Sequence, residues 1–209
     1  NEEQLAILKQ GVNVWNEWRK EHPEIRPEFS KIDFSYADFS YADFSGAVLH
    51  YANLTYTDFI GANLYRASLC NANLSFADLS RADLSDTDLS EANLSKADLR
   101  GAHLRGALLT QANLRGVDFR GAKGDGVNLR EANLSEANLS HADLWDANLV
   151  KTYFSHADLR GVDLSYASIG WTKFDDVDLS EIKGLDAVKH DGPSTIGIDT
   201  IFKSKGNIP

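Results

Sequence analysis

The sequence has one cysteine and no methionine in 209 residues. A single thiol, Cys70, excludes an internal disulfide and any metal site built from several cysteines. No uncharged apolar run approaches the roughly 18 residues that a membrane-spanning helix needs, so no membrane partner is expected. Positive charge is short as well: 21 Lys and Arg stand against 31 Asp and Glu, a net charge of -10. That balance argues against a clamp that gains affinity by neutralising phosphates, and no nucleic-acid partner is expected. With 43% hydrophobic residues the chain can still bury a core. Cysteine usage leaves the compartment open; the cytoplasm is expected, with the periplasm or a thylakoid lumen as alternatives. The chain opens at Asn1, as a processed or trimmed product would, with a removed signal segment one such case.

What the sequence does have is a period, and the period is five. Every fifth residue from Phe29 to Leu179 gives 31 positions, of which 29 are Leu or Phe; Gly124 and Ile169 are the exceptions. Two residues earlier Ala fills 21 of the 31 positions, and one residue earlier Asp or Asn fills 22. Ala77-Asp78-Leu79-Ser80 and Ala92-Asn93-Leu94-Ser95 are typical units. A period of five suits neither a helix at 3.6 nor a half-buried strand at 2, so each unit is a short extended piece and a turn. Asp, Asn, Ser and Gly make such turns by bonding their own backbone or by tolerating unusual dihedrals. One Leu and one Ala cannot form a core alone, so the units must stack, Leu on Leu and Ala on Ala.

These residues resemble the pentapeptide-repeat family, whose pattern is A(D/N)LXX, and the likeness runs from Phe29 to Leu179 without a phase break. The resemblance implies an all-β solenoid, a right-handed quadrilateral β-helix with four units per coil and about eight coils. Coils about 4.8 Å apart would make a rod roughly 35 to 40 Å long. Division by twenty then gives four core columns. Phe29, Phe34, Phe39 and Phe44 fill the first coil and mark the start of the stack. Gly124 interrupts the fourth column, where a cavity, a local bulge or a ligand notch is expected.

Both ends change character. Residues 1–28 read as an N-terminal capping α-helix and linker, because Leu5, Leu8, Val12, Trp15 and Trp18 line one helical face before Pro23 and Pro27 stop it. A cap over the first coil shields its open strand edge, with a partner-binding helix as the alternative. The repeat domain is then 29–182. Residues 183–209 read as a short helical cap or connector, with a helix starting at Ser194 and Ile196, Ile198, Ile201 and Phe202 seated on the last coil. Gly184-Leu185-Asp186-Ala187-Val188 through Gly192-Pro193-Ser194 to Thr200 also resembles the junction that leads to a TIR-type signalling domain in multidomain bacterial proteins. That junction implies a fragment with such a domain in the full-length chain, and the entry Leu8-Lys9-Gln10-Gly11-Val12 to Trp15-Asn16-Glu17-Trp18-Arg19 resembles the leader found before many bacterial, notably cyanobacterial, pentapeptide repeats.

The surface offers two features to a partner. A basic belt, Arg100, Arg105, Arg115, Arg120, Lys123 and Arg130, lies between acidic ends, with Arg100 directly beneath Arg120. Tyr36, Tyr56 and Phe76 fall in one outward column, and Trp145 is a counterpart near the other end. Arg100, Arg120, Arg105, Tyr36, Tyr56, Phe76 and Trp145 are therefore the candidate partner-binding residues. The alternative for the belt is a solvated face, and for the rings a cross-strand ladder. The six histidines show no paired metal spacing, and no phosphate loop or dinucleotide fingerprint occurs. No catalytic residue, metal or cofactor is expected. The expected role is a non-catalytic scaffold or interaction rod for an unidentified protein partner. The alternatives are a DNA-mimic regulator of a topoisomerase or other nucleic-acid enzyme, and the repeat domain of a TIR-containing NAD-cleaving or signalling protein.

Overall fold

The period of five resolves into a ladder with a period of twenty. In the computed structural model, which describes residues 2–204, residues just before the core Leu or Phe pair in parallel with counterparts twenty positions on, from Glu28 with Val48 to Asp163 with Lys183. Four units therefore close one coil, and the chain forms a four-sided parallel β-helix. Each rung bonds in both directions. Asn53 N donates down to Ile32 O at 2.8 Å, and Leu54 N donates up to Asn73 O at 2.7 Å.

Between rungs the chain turns a corner. The Asp or Asn side chain accepts the N–H two residues on, as from Ser80 N to Asp78 Oδ1 at 2.9 Å. The next N–H closes the turn, as from Ala77 N to Leu74 O at 3.0 Å. A turn of this kind needs a left-handed φ at its third residue. Every fifth residue from Lys31 to Asp176 has one, between 52° and 67°; twenty-two of them carry side chains and eight are glycine. None of the twenty-two is β-branched, the class that tolerates this region least.

The Leu and Ala columns fill the interior: Leu79, Leu84, Leu89 and Leu94 have no exposed surface. Where Thr replaces Ala its hydroxyl is used, since Thr57 Oγ1 donates to Phe34 O and Thr152 Oγ1 to Leu129 O, both at 2.9 Å. At Gly124 neighbours crowd the space next to the backbone. Leu144 Cδ2, from the same column one coil on, and Val127 Cγ1 lie 3.0 and 3.1 Å from the point where a Cβ would stand.

The expected N-terminal helix is two helices, α1 (Glu2–Leu8) and α2 (Val12–Glu21). Gly11, with φ 111°, breaks them in a conformation open to glycine. Trp15 is fully buried, with its ring 5.8 Å from both Phe29 and Phe44 and 5.2 Å from Trp18. α2 also bonds to one side of the first coil's open edge. Asn16 Oδ1 accepts from Asp43 N at 2.8 Å, Trp15 Nε1 donates to Asp43 O at 2.8 Å, and Arg19 donates to Ser45 O at 3.0 Å.

At the other end the ladder continues past Leu179 with wider spacing. Strand β1 (Ser168–Ile169) pairs with β3 (Lys189–His190), and β2 (Lys173–Phe174) pairs with β4 (Thr195–Ile196). Because β4 holds Thr195 and Ile196 extended, the helix expected from Ser194 starts later, as α3 (Ile198–Lys203). Its docking face is the reverse of the expected one. Thr200 and Ser204 are fully buried, whereas Ile198 and Phe202 are 70% and 76% exposed. The top coil presents unpaired N–H groups, which hydroxyls can meet and methyl groups cannot. Thr200 Oγ1 accepts from Val177 N at 3.2 Å, and Ser204 Oγ accepts from Leu179 N at 3.0 Å. Asn1 and the last five residues of the expected connector, 205–209, lie outside the described residues.

Replacing the mid-stack Leu139 with Lys tests the columns. A buried Leu is worth about 1.5 to 3 kcal/mol and an ammonium in its place costs more. The variant should lose its cooperative thermal transition by circular dichroism; a melt like the parent's would displace the column assignment.

Candidate interaction surface

The corner residues share one geometry, so side chains twenty apart stand above one another. At one corner this stacks the rings of Tyr36, Tyr56 and Phe76. Their centroids are 5.1 and 4.8 Å apart, and the planes differ by only 9° and 12°. Lys96 ends the stack with its ammonium 5.3 Å from the Phe76 centroid. Tyr36 is 75% exposed, and Tyr41 and Tyr51 are exposed on neighbouring corners.

Trp145 and Arg105 share a different corner. They line a groove of about 650 Å³ with Tyr65, Asp83, Asp86 and Asp125. Its floor is Gly106 and Gly126, two corners without side chains. Arg105 Nε lies 3.8 Å from Asp125 Oδ2, and Trp145 meets Tyr166 edge-on at 5.7 Å.

The belt arginines are mostly spent on the rod itself. Arg100 Nη2 is 2.5 Å from Asp98 Oδ2 and its Nε is 3.9 Å from Asp118; Arg120 reaches Asp118 at 2.6 Å. Arg115 pairs with Glu136 at 2.6 Å and Arg130 with Glu131 at 3.3 Å. The Arg100 and Arg120 pairs answer a feature that the motif hides. On one face the rung residues are Asp38, Asp58, Asp78, Asp98 and Asp118, a run of carboxylates one coil apart. The signal lay in the choice between Asp and Asn, which differs by column. The neighbouring face carries Asn53, Asn73, Asn93, Asn113 and Asn133, whose amides zip together, as from Asn93 Nδ2 to Asn73 Oδ1 at 3.1 Å.

Turn bonds and ion pairs lower the pKa of several carboxyls. Arg160 holds Asp158 below the ordinary carboxylate range, and the Ser165 hydroxyl and N–H do the same for Asp163. The Ser40 N–H and hydroxyl act on Asp38. Cys70 goes the other way: burial, then the hydrogen bond to Asp88, pushes its thiol up to about 11. No group of three or more His, Cys, Asp or Glu able to hold a metal occurs among the described residues. No helix there is long and apolar enough to cross a membrane.

Coils of four five-residue units, parallel rungs and left-handed corners define the right-handed quadrilateral β-helix class. The chain belongs to the pentapeptide-repeat family: the family model "Pentapeptide repeats" matches in eight copies over residues 28–64, 49–86, 87–123, 127–165 and 146–180. Residues 124–126, which include the core gap, fall between matched segments. Among solved structures, a trypsin-treated variant of QnrB1, a plasmid-mediated fluoroquinolone resistance protein, superposes with a TM-score of 0.69 at 20% identity. That match covers 80% of this chain and 91% of QnrB1. HetL from the cyanobacterium Nostoc sp. strain PCC 7120, involved in heterocyst differentiation regulation, is 26% identical over 88% of this chain and 97% of its own, with a TM-score of 0.35. A thylakoid-lumen pentapeptide repeat protein of Arabidopsis thaliana is 31% identical over 53% of this chain and 70% of its own, with a TM-score of 0.23. Comparison with curated protein sequences gives no match.

Two titrations follow from these environments. Carboxyls whose folded pKa is depressed add stability that is complete above the unfolded value near 4 and is lost as pH falls through the lower folded values. The thermal midpoint should therefore hold between about pH 5 and 7 and drop below about pH 4; a midpoint rising on acidification would contradict the turn bonds. A thiol near 11 instead of 9.0 has about a hundredfold less thiolate at neutral pH. Iodoacetamide should label Cys70 more slowly than a free thiol by about that factor.

Proposed function

We propose that this chain is a non-catalytic interaction and scaffolding rod that recruits a protein partner through its corners or orients an adjoining effector domain. The observation that supports this reading is the exposed stack of Tyr36, Tyr56 and Phe76. Large aromatic groups held rigidly at a surface lose little entropy on binding and are favoured at the energetic centres of interfaces. Here they lie outside the core and the rungs. A TIR-type domain in the full-length protein is one such effector, and NAD cleavage or signalling would belong to it.

The second reading is a DNA-mimic regulator of a topoisomerase or other nucleic-acid enzyme, and the carboxylate column from Asp38 to Asp118 favours it. The arginine pairs on Asp98 and Asp118 weigh against it, because they neutralise that column at mid-rod.

The two readings separate by mutation. Immobilised parent protein and a Tyr36→Ser/Tyr56→Ser/Phe76→Ser variant would be compared for proteins captured from source-cell extract. The variant should keep its melting curve and lose bound partners by tenfold or more. Full capture by the variant would remove the ring stack as the contact. Inhibition of topoisomerase supercoiling that survives this variant but not Asp58→Asn/Asp78→Asn would favour the second reading.

A further inference from the structure

The last complete core layer is Leu164, Ile169, Phe174 and Leu179, one side chain from each column, all buried. A further twenty-residue coil would cover it with four more large side chains. The ladder widens here instead, to 21 residues between Ser168 and Lys189 and to 22 between Lys173 and Thr195. Gly184 also stands where the fourth column would place a Leu. Leu185, His190, Ser194 and Ile196 roof the layer without filling it. A mostly apolar cavity of about 210 Å³, partly open to solvent, remains. The Ser194 hydroxyl oxygen, on a residue that lines this cavity, is buried and has no hydrogen-bond partner among the described residues.

Two physical facts bear on what belongs there. A cavity lined by Leu, Ile and Phe stays dry, and one of about 150 Å³ is enough to hold benzene. Among the side chains that line it, only those of Ser194 and His190, an exposed residue, offer water a polar partner, and water needs two to four. A buried hydroxyl without a partner, in contrast, is an unfavourable arrangement that a polar ligand group would relieve. The space is larger than a benzene site, which leaves room for a polar substituent on the ring.

We infer that this cavity is a binding site for a small, mostly apolar ring compound bearing one hydroxyl or carbonyl group, the ring against Ile169, Phe174 and Leu179 and the polar group on Ser194. The site is independent of the proposed interaction surface, since it shares no residue with the corner rings or the arginine belt. Its roof is the segment from Leu185 to Ile196 that also supplies β3 and β4. A ligand that binds only the folded form raises its stability, so occupancy secures the widened last coil.

The test uses the whole chain with phenol and toluene as probes, read by ligand-observed NMR and by the thermal midpoint. Phenol should bind and raise the midpoint, and toluene should bind more weakly. Ser194→Ala should weaken phenol about five- to tenfold and leave toluene unchanged, as loss of one hydrogen bond predicts. Ile196→Phe, which fills the space, should remove both. Ser194→Leu fills it from the polar side and serves if Ile196→Phe does not fold. Absence of phenol binding at 10 mM, on the order of a weak fragment's affinity, would overturn the proposal. Phenol binding unchanged in both filled variants would overturn it equally, by putting the ligand elsewhere.

Discussion

The bond on which the rest of the structure depends is the backbone N–H to C=O contact between one coil and the next. Its two directions alternate along each side, down from the residue before the core Leu and up from the Leu itself. A coil so bonded meets only its two neighbours, and stability grows as the number of interfaces. The same arrangement leaves donors and acceptors open at the first and last coil. Both ends meet that need with polar side chains: Asn16, Trp15 and Arg19 below, Thr200 and Ser204 above. The terminal helices are thus hydrogen-bonding plugs as much as hydrophobic lids.

Fixing the rungs fixes the corners, and the corners divide the surface into columns with different chemistry. An Asn column can bond to itself, because an amide both donates and accepts; Asn113 Nδ2 donates to Asn93 Oδ1 at 3.0 Å and Asn93 Nδ2 to Asn73 Oδ1 at 3.1 Å. A carboxylate column has acceptors only, and like charges one coil apart repel. Arg100, Arg120 and Arg160 stand two residues after Asp98, Asp118 and Asp158, where each can reach back to its own corner's carboxylate. Two members of the basic belt, Arg100 and Arg120, are thus the counter-charge of an acidic face.

The repeat domain was legible because its period is short and its core positions are nearly uniform. Leu, Ala and Asp or Asn each answer one requirement of the rung or the turn, so composition by position amounts to a description of the coil. The ends were less legible, for identifiable reasons. The apolar spacing of Leu5, Leu8, Val12, Trp15 and Trp18 runs through Gly11 as though the helix were continuous, and only the backbone at Gly11 breaks it. Beyond Leu179 the spacing changes to 21 and then 22 residues, so strands β3 and β4 carry no fivefold signal. The helix after them turns its hydroxyls inward, which a hydrophobic pattern cannot foretell. Of the candidate surface, the ring column was readable by counting in twenties. The carboxylate column was lost in the average of the motif, and the groove between Tyr65 and Trp145 depends on bare corners at Gly106 and Gly126 whose depth only the fold reveals.

The left-handed corners have a consequence for how such a molecule can change over time. Thirty addresses, from Lys31 to Asp176, display whatever side chain they carry while taking no part in the buried columns. Tyr, Lys, Glu, His, Asp and Gly all occupy them without altering the rung spacing. The requirements for standing up and the requirements for being recognised therefore fall on separate sets of residues. A rod of this kind can exchange one partner for another by rewriting its margins, with the interior text left as it was.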